Sequence, residues 1–522
     1  MKRLSDLEYL RLTKINKFLY KIVSFFIAIP IWFLNLGKKL WNFIKKVGIG
    51  IKDFFVGLVM TFVKGSWKTK VSYVIMGFGN IVRGQILRGL LFLAFQGVFI
   101  YYMITTGTYW LGKFETLGEI SKKDLEVYDP ILDVFYVDPS KQADDSFRIL
   151  LYGLLTIIFI VALVVTWYYN VKQNRISDEI ERSGKKIRSN KDDLKSLVDD
   201  QFHKTLLSLP LLGIFVFTVI PIIFMILVAF TNYGTTEGVL HDGQANLFTW
   251  VGLENFNQLF SVEVGDSNLR FAFGEILTWT LIWAFFATFT NYFLGMLVAM
   301  MINKKGIRLK KLWRTVLVIS IAVPQFISLM YVARLFANNG LVNSYLKEWG
   351  VTSYESGGIK FWTDPTLARI MVIVINIWVG IPYLMLITTG VLMNIPADLY
   401  ESSKIDGANT FQQYTKITLP YMLFVTGPYL LTNFIGNINN FNVIYLLTTN
   451  GGTVSDPKLQ VGGISASPVD LLVTWLFNIT MNAEQQYKLA SVIGIMIFVV
   501  VAVLSLIVYN VMPSTKNEED YA

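Results

Sequence analysis

Polar side chains set within long apolar runs are the places where this sequence can do chemistry. Asn376, Gly380 and Tyr383 recur at spacings of four and three, which puts them on one helix face. Asn437 and Asn440 share a face of the next apolar run. Asn amides donate and accept hydrogen bonds, and a Tyr ring offers an apolar face, a mixture suited to the hydroxyls and CH groups of a sugar. The chemistry implied is reversible binding. The same residues can equally serve as interhelical hydrogen bonds holding a bundle together. Catalysis finds no support. Cys is absent, and the two histidines, His203 and His241, fall on opposite expected sides of a membrane, so metal ligation is not expected. No GxxxxGK[ST] run occurs, so the chain lacks a P-loop, and no cofactor is expected on it.

A second candidate is the polar island 399–420, LYESSKIDGANTFQQYTKITLP, between two apolar runs. Asp398 is placed to cap a first helix, Gly407 permits a positive-φ turn, and Pro420 is expected to stop or bend a second helix. Such a helix-turn-helix is a compact knob that fits a cleft on another protein. An ordinary cytoplasmic loop is the alternative.

Both candidates need elements to hold them. Of 522 residues 53% are apolar and 16% charged, with the charges gathered between uncharged runs, so the expected fold is all-α and polytopic. Eight spans are expected, at 86–106, 148–169, 207–230, 275–302, 313–337, 368–393, 421–447 and 488–510. The net charge of +9 does not indicate nucleic acid. Residues 1–70 hold 14 Lys/Arg against 3 Asp/Glu, whereas residues 107–147 hold 9 acids against 4 bases. With basic loops inside, both termini and the 399–420 island are cytoplasmic. Residues 1–70 are read as a basic amphipathic extension on the cytoplasmic membrane surface, meeting anionic lipid, with an extra pair of spans across 18–63 as the alternative. Residues 71–205 add two spans, an acidic external loop and a charged linker at 170–205 that is assigned no chemistry. Residues 206–512 form a six-helix core, and 513–522 a cytoplasmic tail. Pro324 and Gly427-Pro428 are candidate kinks.

The spacing of the island, Glu401-Ser402-Ser403, three residues, Gly407, nine residues, Ile417-x-Leu419-Pro420, resembles the coupling loop of ABC-importer membrane subunits. Serines replace the family's two alanines. From about 207 onward the chain resembles maltose/maltodextrin-type permeases, through AFTNY (229–233), VGLENFNQLF (251–260), AVPQFISLM (322–330), NIWVGIPYLM (376–385) and NINNFNVIYLLTTNGG (437–452). The resemblance implies a type I importer core in a bacterial plasma membrane. It implies a second permease, a dimeric ATPase holding ATP and Mg, and an extracellular binding protein, lipid-tethered where the cell has a single membrane. It further implies a substrate pocket at Ile321, Gln325, Asn376, Val379, Gly380, Tyr383, Gly436, Asn437 and Asn440. Coupling is implied for Glu401, Ser402, Ser403, Asp406, Gly407, Ile417, Leu419 and Pro420. Ile321 and Gln325 stand where the family has Tyr and Ser, and Gly436 where it has an aromatic, so a related oligosaccharide is as reasonable as maltose. Rival readings are a permease for another glycan or glycerol phosphate, which should place Arg or Lys inside the spans, and an ion-coupled carrier, which should place carboxylates there.

Overall fold

The computed structural model describes residues 41, 42, 45, 46, 48–50, 52–120, 125–131, 133–137, 142–234, 247–260, 267–304, 306–352, 358–451, 459–461, 464–481 and 485–511. Residues 1–40 of the expected 1–70 extension, His241 and the tail at 513–522 lie outside these residues. The main helices are α1 (Ile86–Phe114), α2 (Ser146–Arg182), α3 (Phe202–Val228), α4 (Leu269–Asn303), α5 (Lys310–Ala322), α6 (Gln325–Leu335) and α7 (Pro365–Leu392). They continue with α8 (Ala397–Ile405), α9 (Leu419–Ile438), α10 (Phe441–Gly451), α11 (Leu472–Met481) and α12 (Tyr487–Val511). Among the described residues, strands are confined to two antiparallel hairpins, β1 (Glu126–Asp129) with β2 (Val134–Val137), and β3 (Gln460–Val461) with β4 (Ile464–Ser465).

The helical membrane architecture expected from the sequence holds, with two spans corrected. Helices α1, α2, α3, α4, α7 and α12 are each long and apolar enough to cross a bilayer. The span expected at 313–337 is instead α5 and α6, bent by 87°. Pro324 has no N–H for the preceding turn and drives Val323 out of the helical region, to φ −78° and ψ 125°. The span expected at 421–447 is broken after Ile438, so α9 is 20 residues and a separate α10 follows. Gly427 and Pro428 do not interrupt α9.

Two compact units emerge, Met1–Leu111 with Leu154–Leu212, and Gly112–Gly153 with Gly213–Ala522. In the first, a polar cluster is buried. The Arg83 guanidinium pairs with Asp178 and donates to Asn174 Oδ1 (2.7 Å) and Thr69 Oγ1 (2.9 Å). Asp178 also accepts from the Ser66 backbone N–H (2.9 Å) and Thr69 Oγ1 (2.7 Å). A cation and a carboxylate removed from water need this density of partners to be tolerated.

The second unit is built on α4 against α7. Thr280, Ala284, Ala287, Asn291, Gly295 and Ala299 form a buried stripe of mostly small side chains along α4. A Cβ on Gly295 would lie 2.8 Å from Leu384 Cβ, so the glycine is what lets the two helices meet. Around this seam Trp279, Trp283, Leu329, Trp362, Val372, Ile375 and Val443 form one apolar core. Tyr292, Met296, Leu384, Met422 and Leu430 form another.

Candidate functional site

Asn376 lies near the middle of α7 and is buried among α4 side chains. Asn291 of α4 donates its Nδ2 to the Asn376 carbonyl (3.4 Å), and its amide rests where a Cβ on Gly380 would sit, 2.3 Å away. Two polar atoms, Asn291 Oδ1 and Asn376 Nδ2, are left buried with no protein partner. An acceptor and a donor unsatisfied at that depth are costly, about 1–3 kcal/mol each. One turn on, Pro382 withholds the N–H that the Trp378 carbonyl would receive. Tyr383 is half exposed, and Val379 packs partly into the core.

The break between α9 and α10 is fixed by asparagines. Asn437 donates to Thr288 Oγ1 (3.0 Å) and accepts from Asn440 Nδ2 (3.3 Å), while its carbonyl accepts from Trp283 Nε1 (3.1 Å). Asn440 Oδ1 in turn accepts from the Val443 N–H (3.3 Å) at the start of α10. Asn437 and Asn440 therefore do not share a face of one helix, as their spacing suggested, because the helix ends between them. The Asn437 amide is engaged with α4, so for this residue the interhelical role has explicit partners. Gly436 faces open space. Ile321 and Gln325 stand on either side of the Val323-Pro324 corner, both exposed.

The 399–420 island folds as a knob. Pro396, rather than Asp398, occupies the N-cap of α8, and Asp398 sits in the first turn, where its charge complements the helix dipole. The helix closes on Asp406, Gly407 has φ +79°, and the Ala408 N–H returns to the Ser403 carbonyl (2.9 Å) and the Gly407 N–H to the Lys404 carbonyl (3.1 Å). This pair of bonds is a Schellman closure, which a glycine accepts without strain. Asn409 then caps the next helix in a reciprocal box with Gln412. From Thr410 the backbone stays helical, through a π-turn at Tyr414–Thr418, into α9. Pro420 therefore neither stops nor ends this helix. It sits just past the wide turn, where its missing N–H is tolerated. Gln413 Nε2 ties the two arms by donating to Ser403 Oγ (2.9 Å), and the Tyr400 and Thr418 hydroxyls meet at 2.8 Å. Glu401 and Ser402 are exposed, with Ile405 (88% exposed) and Phe411 (72% exposed) flanking the turn. Ile417 and Leu419 pack inward against the Tyr292–Leu384–Met422 core.

Residues 291–516 match the model of the binding-protein-dependent transport system inner membrane component family. The maltodextrin transport system permease protein MdxF of Bacillus subtilis is 30% identical over 463 residues, 88% of this chain and 98% of the relative. The chain belongs to this permease family. The galactooligosaccharides transport system permease protein GanP of Bacillus subtilis is 30% identical, covering 85% of this chain and 97% of the relative. The maltose/maltodextrin transport system permease protein MalF of Escherichia coli is 35% identical over 49% of this chain and 48% of its own. Among solved structures, a bacterial ABC transporter involved in the import of the acidic polysaccharide alginate aligns with TM-score 0.45 and 20% identity, covering 61% of this chain and 96% of that one.

Within this permease, sequence reasoning passed over two features. Asn291 and Thr288 escaped notice within the predominantly apolar α4, although Asn291 is four residues from Gly295 on the small-residue stripe and that spacing is the usable signal. The Arg83–Asp178 cluster escaped because its acid lies in a stretch of mixed charge that reads as a solvated linker.

Proposed function

We propose that this permease forms one half of the membrane pathway of an ATP-driven importer for a neutral oligosaccharide of the maltodextrin type. The observation that carries the substrate class is the neutral lining. Asn376, Gly380, Tyr383 and Asn440 are assigned to that lining, and the helices around them are nearly uncharged: α7 carries no charge beyond Arg369, and α9 and α10 carry none. An anionic solute such as glycerol phosphate would ask for a cation at that depth. Relatives named for maltodextrin and for galactooligosaccharides at equal identity support the class of neutral hexose oligomers. Ile321, Gln325, Val379, Gly436 and Asn437 complete the proposed pocket and tune it.

In this reading the chain pairs with a second permease and a dimeric ATPase that holds ATP and Mg, and receives sugar from an extracellular binding protein. Both termini and the knob are cytoplasmic. Closure of the motor moves the 401–420 knob as a rigid body, with Glu401, Ser402, Ser403, Asp406 and Gly407 at the contact, and Ile417, Leu419 and Pro420 linking it to α9. The spans then rock from inward-open to outward-open. Competition for uptake by a panel of oligosaccharides, in a strain lacking the native importer and supplied with this one, tests the proposal. Neutral α-linked glucose oligomers should suppress uptake, and failure of every neutral oligomer to compete would remove the substrate assignment.

A further inference from the structure

The segment between α1 and α2 carries a feature that the transport pathway does not use. Its base is fixed. Asp144 accepts from the backbone N–H groups of Glu119 (3.0 Å) and Ile120 (3.1 Å) and pairs with Lys113, while its own N–H donates to the Ile120 carbonyl (2.8 Å). Leu117 and Leu125, in the same segment, are buried. Burial alone would raise the Asp144 carboxyl, but the hydrogen bonds from Lys113, Ile120 and Glu119 outweigh it and hold the group below the ordinary carboxylate range. Along the chain between Ile120 and Asp144 lies the β1–β2 hairpin, paired from Glu126 with Val137 to Asp129 with Val134. Asp129 Oδ1 accepts from the Ile131 N–H (2.8 Å) and Asp133 takes φ +51°, which sets Ile131 at the apex.

The hairpin is apolar where it meets water. Ile131 is 91% exposed and Phe135 69%, and Val127, Tyr128 and Val134 are exposed as well. Tyr128 and Phe135 lie ring to ring at 5.1 Å on one face, with Val127 and Val134 on the other. A two-stranded hairpin with apolar side chains exposed on both faces is marginal in water by itself and gains stability from a partner. Its charge selects that partner. Glu126, Asp129 and Asp133 rim the patch, and residues 125–137 contain no Lys or Arg. An anionic lipid surface repels such a rim, whereas a protein with basic residues around an apolar patch complements it.

We propose that this hairpin is a docking surface for the extracytoplasmic binding protein on which the family depends, engaging an apolar, basic-rimmed patch on that protein. The inference rests on the importer reading and on residues 107–147 lying outside. Because the chain has no cysteine, Ile131→Cys supplies a unique thiol in this chain within the assembled importer. Three outcomes are expected. The thiol reacts with a membrane-impermeant maleimide from outside. A short thiol-to-amine cross-linker joins it to the binding protein. Ile131→Glu with Phe135→Glu raises the binding-protein concentration for half-maximal ATPase stimulation about tenfold, leaving basal hydrolysis and subunit assembly intact. Labelling from outside with cross-links only to the second permease, or quenching of a probe at residue 131 by nitroxide lipids, would overturn the docking assignment. Labelling only from inside would overturn it through the topology. If no binding protein stimulates the unaltered complex, the importer reading fails instead.

Discussion

At the scale of single residues, the Asn291–Gly380 contact makes a sharp expectation. A methyl group on Gly380 would fall 2.3 Å from Asn291 Nδ2, so Gly380→Ala must displace the amide and disturb the α4–α7 seam. Overpacking of this kind costs roughly 1–3 kcal/mol. Removing the obstacle with Asn291→Ala should recover part of the loss, giving a non-additive double-mutant cycle in complex yield and uptake rate. Simple additivity would show that the contact does not matter. Asp470 supplies a pH test outside the spans. It is buried before α11, and burial pushes its carboxyl up to about 6, only partly opposed by donors from the Ser467 N–H, the Thr474 hydroxyl and the Asn478 amide. A carboxyl raised on folding favours the folded state most fully below its unfolded value near 3.8, and that stabilisation is lost as pH rises through about 6. The displacement corresponds to roughly 3 kcal/mol. The detergent-solubilised complex should therefore lose melting temperature between pH 4 and 7, and Asp470→Asn should flatten the slope in that window. An unchanged slope would remove Asp470 from the account.

At the scale of elements, the knob should tolerate change everywhere except at its turn. Gly407 is left-handed at φ +79°, and a β-branched side chain there is strained, while open space around it means no packing is lost. Gly407→Val should therefore reduce uptake at least about tenfold, on the proposed coupling role, while the complex still assembles and hydrolyses ATP. Wild-type uptake in that variant would mean that the turn does not transmit force. The turn itself was readable in advance, because a glycine between two helix-compatible segments leaves few alternatives. The helix ends were not. Asp398 is the better capping residue by type, yet Pro396 took the N-cap, since proline's fixed φ suits the entry to a helix whose first N–H groups have no intrahelical partner. The corner at Pro324 was legible as a kink, whereas the break after Ile438 falls in the run Asn437-Ile438-Asn439-Asn440, whose spacing reads equally as one helix face. Asn440 caps α10 locally, but Asn437 donates to Thr288 and accepts from Trp283 of α4, 149 and 154 residues away in sequence, and local pattern carries no trace of those partners. The same holds for the pocket. Asn376 and Gly380 stood out as polar or small within α7, but the residue that fills the space beside Gly380, Asn291, comes from α4, 89 residues earlier in sequence.

At the scale of the whole molecule, the question is what drives transport, and the distribution of charge answers it. A carrier running on a proton or sodium gradient needs an ionisable or multidentate oxygen site within the bilayer that changes occupancy during the cycle. From α4 onward the spans hold one carboxylate, Glu275, and it is near the end of α4, paired with Arg369 at 2.9 Å, while Arg369 in turn lies over the Trp279 ring at 4.9 Å. A carboxylate fixed in that way, beside an indole and at a helix end, is placed to lock α4 to α7 and not to shuttle an ion. The chain has no P-loop either, and on the proposed reading the energy reaches it through contact with another subunit. Proteoliposomes holding the complete complex should therefore accumulate oligosaccharide only with ATP and binding protein present, and collapse of the proton or sodium gradient should leave the initial rate unchanged. Glu275→Gln should lower the thermal stability of the complex by breaking the pair with Arg369, by about 1 kcal/mol or less given its partial exposure, and leave the ATP requirement intact. Uptake driven by an imposed gradient in vesicles lacking the ATPase would contradict this account, and loss of that uptake in Glu275→Gln would then identify the carboxylate as the coupling group.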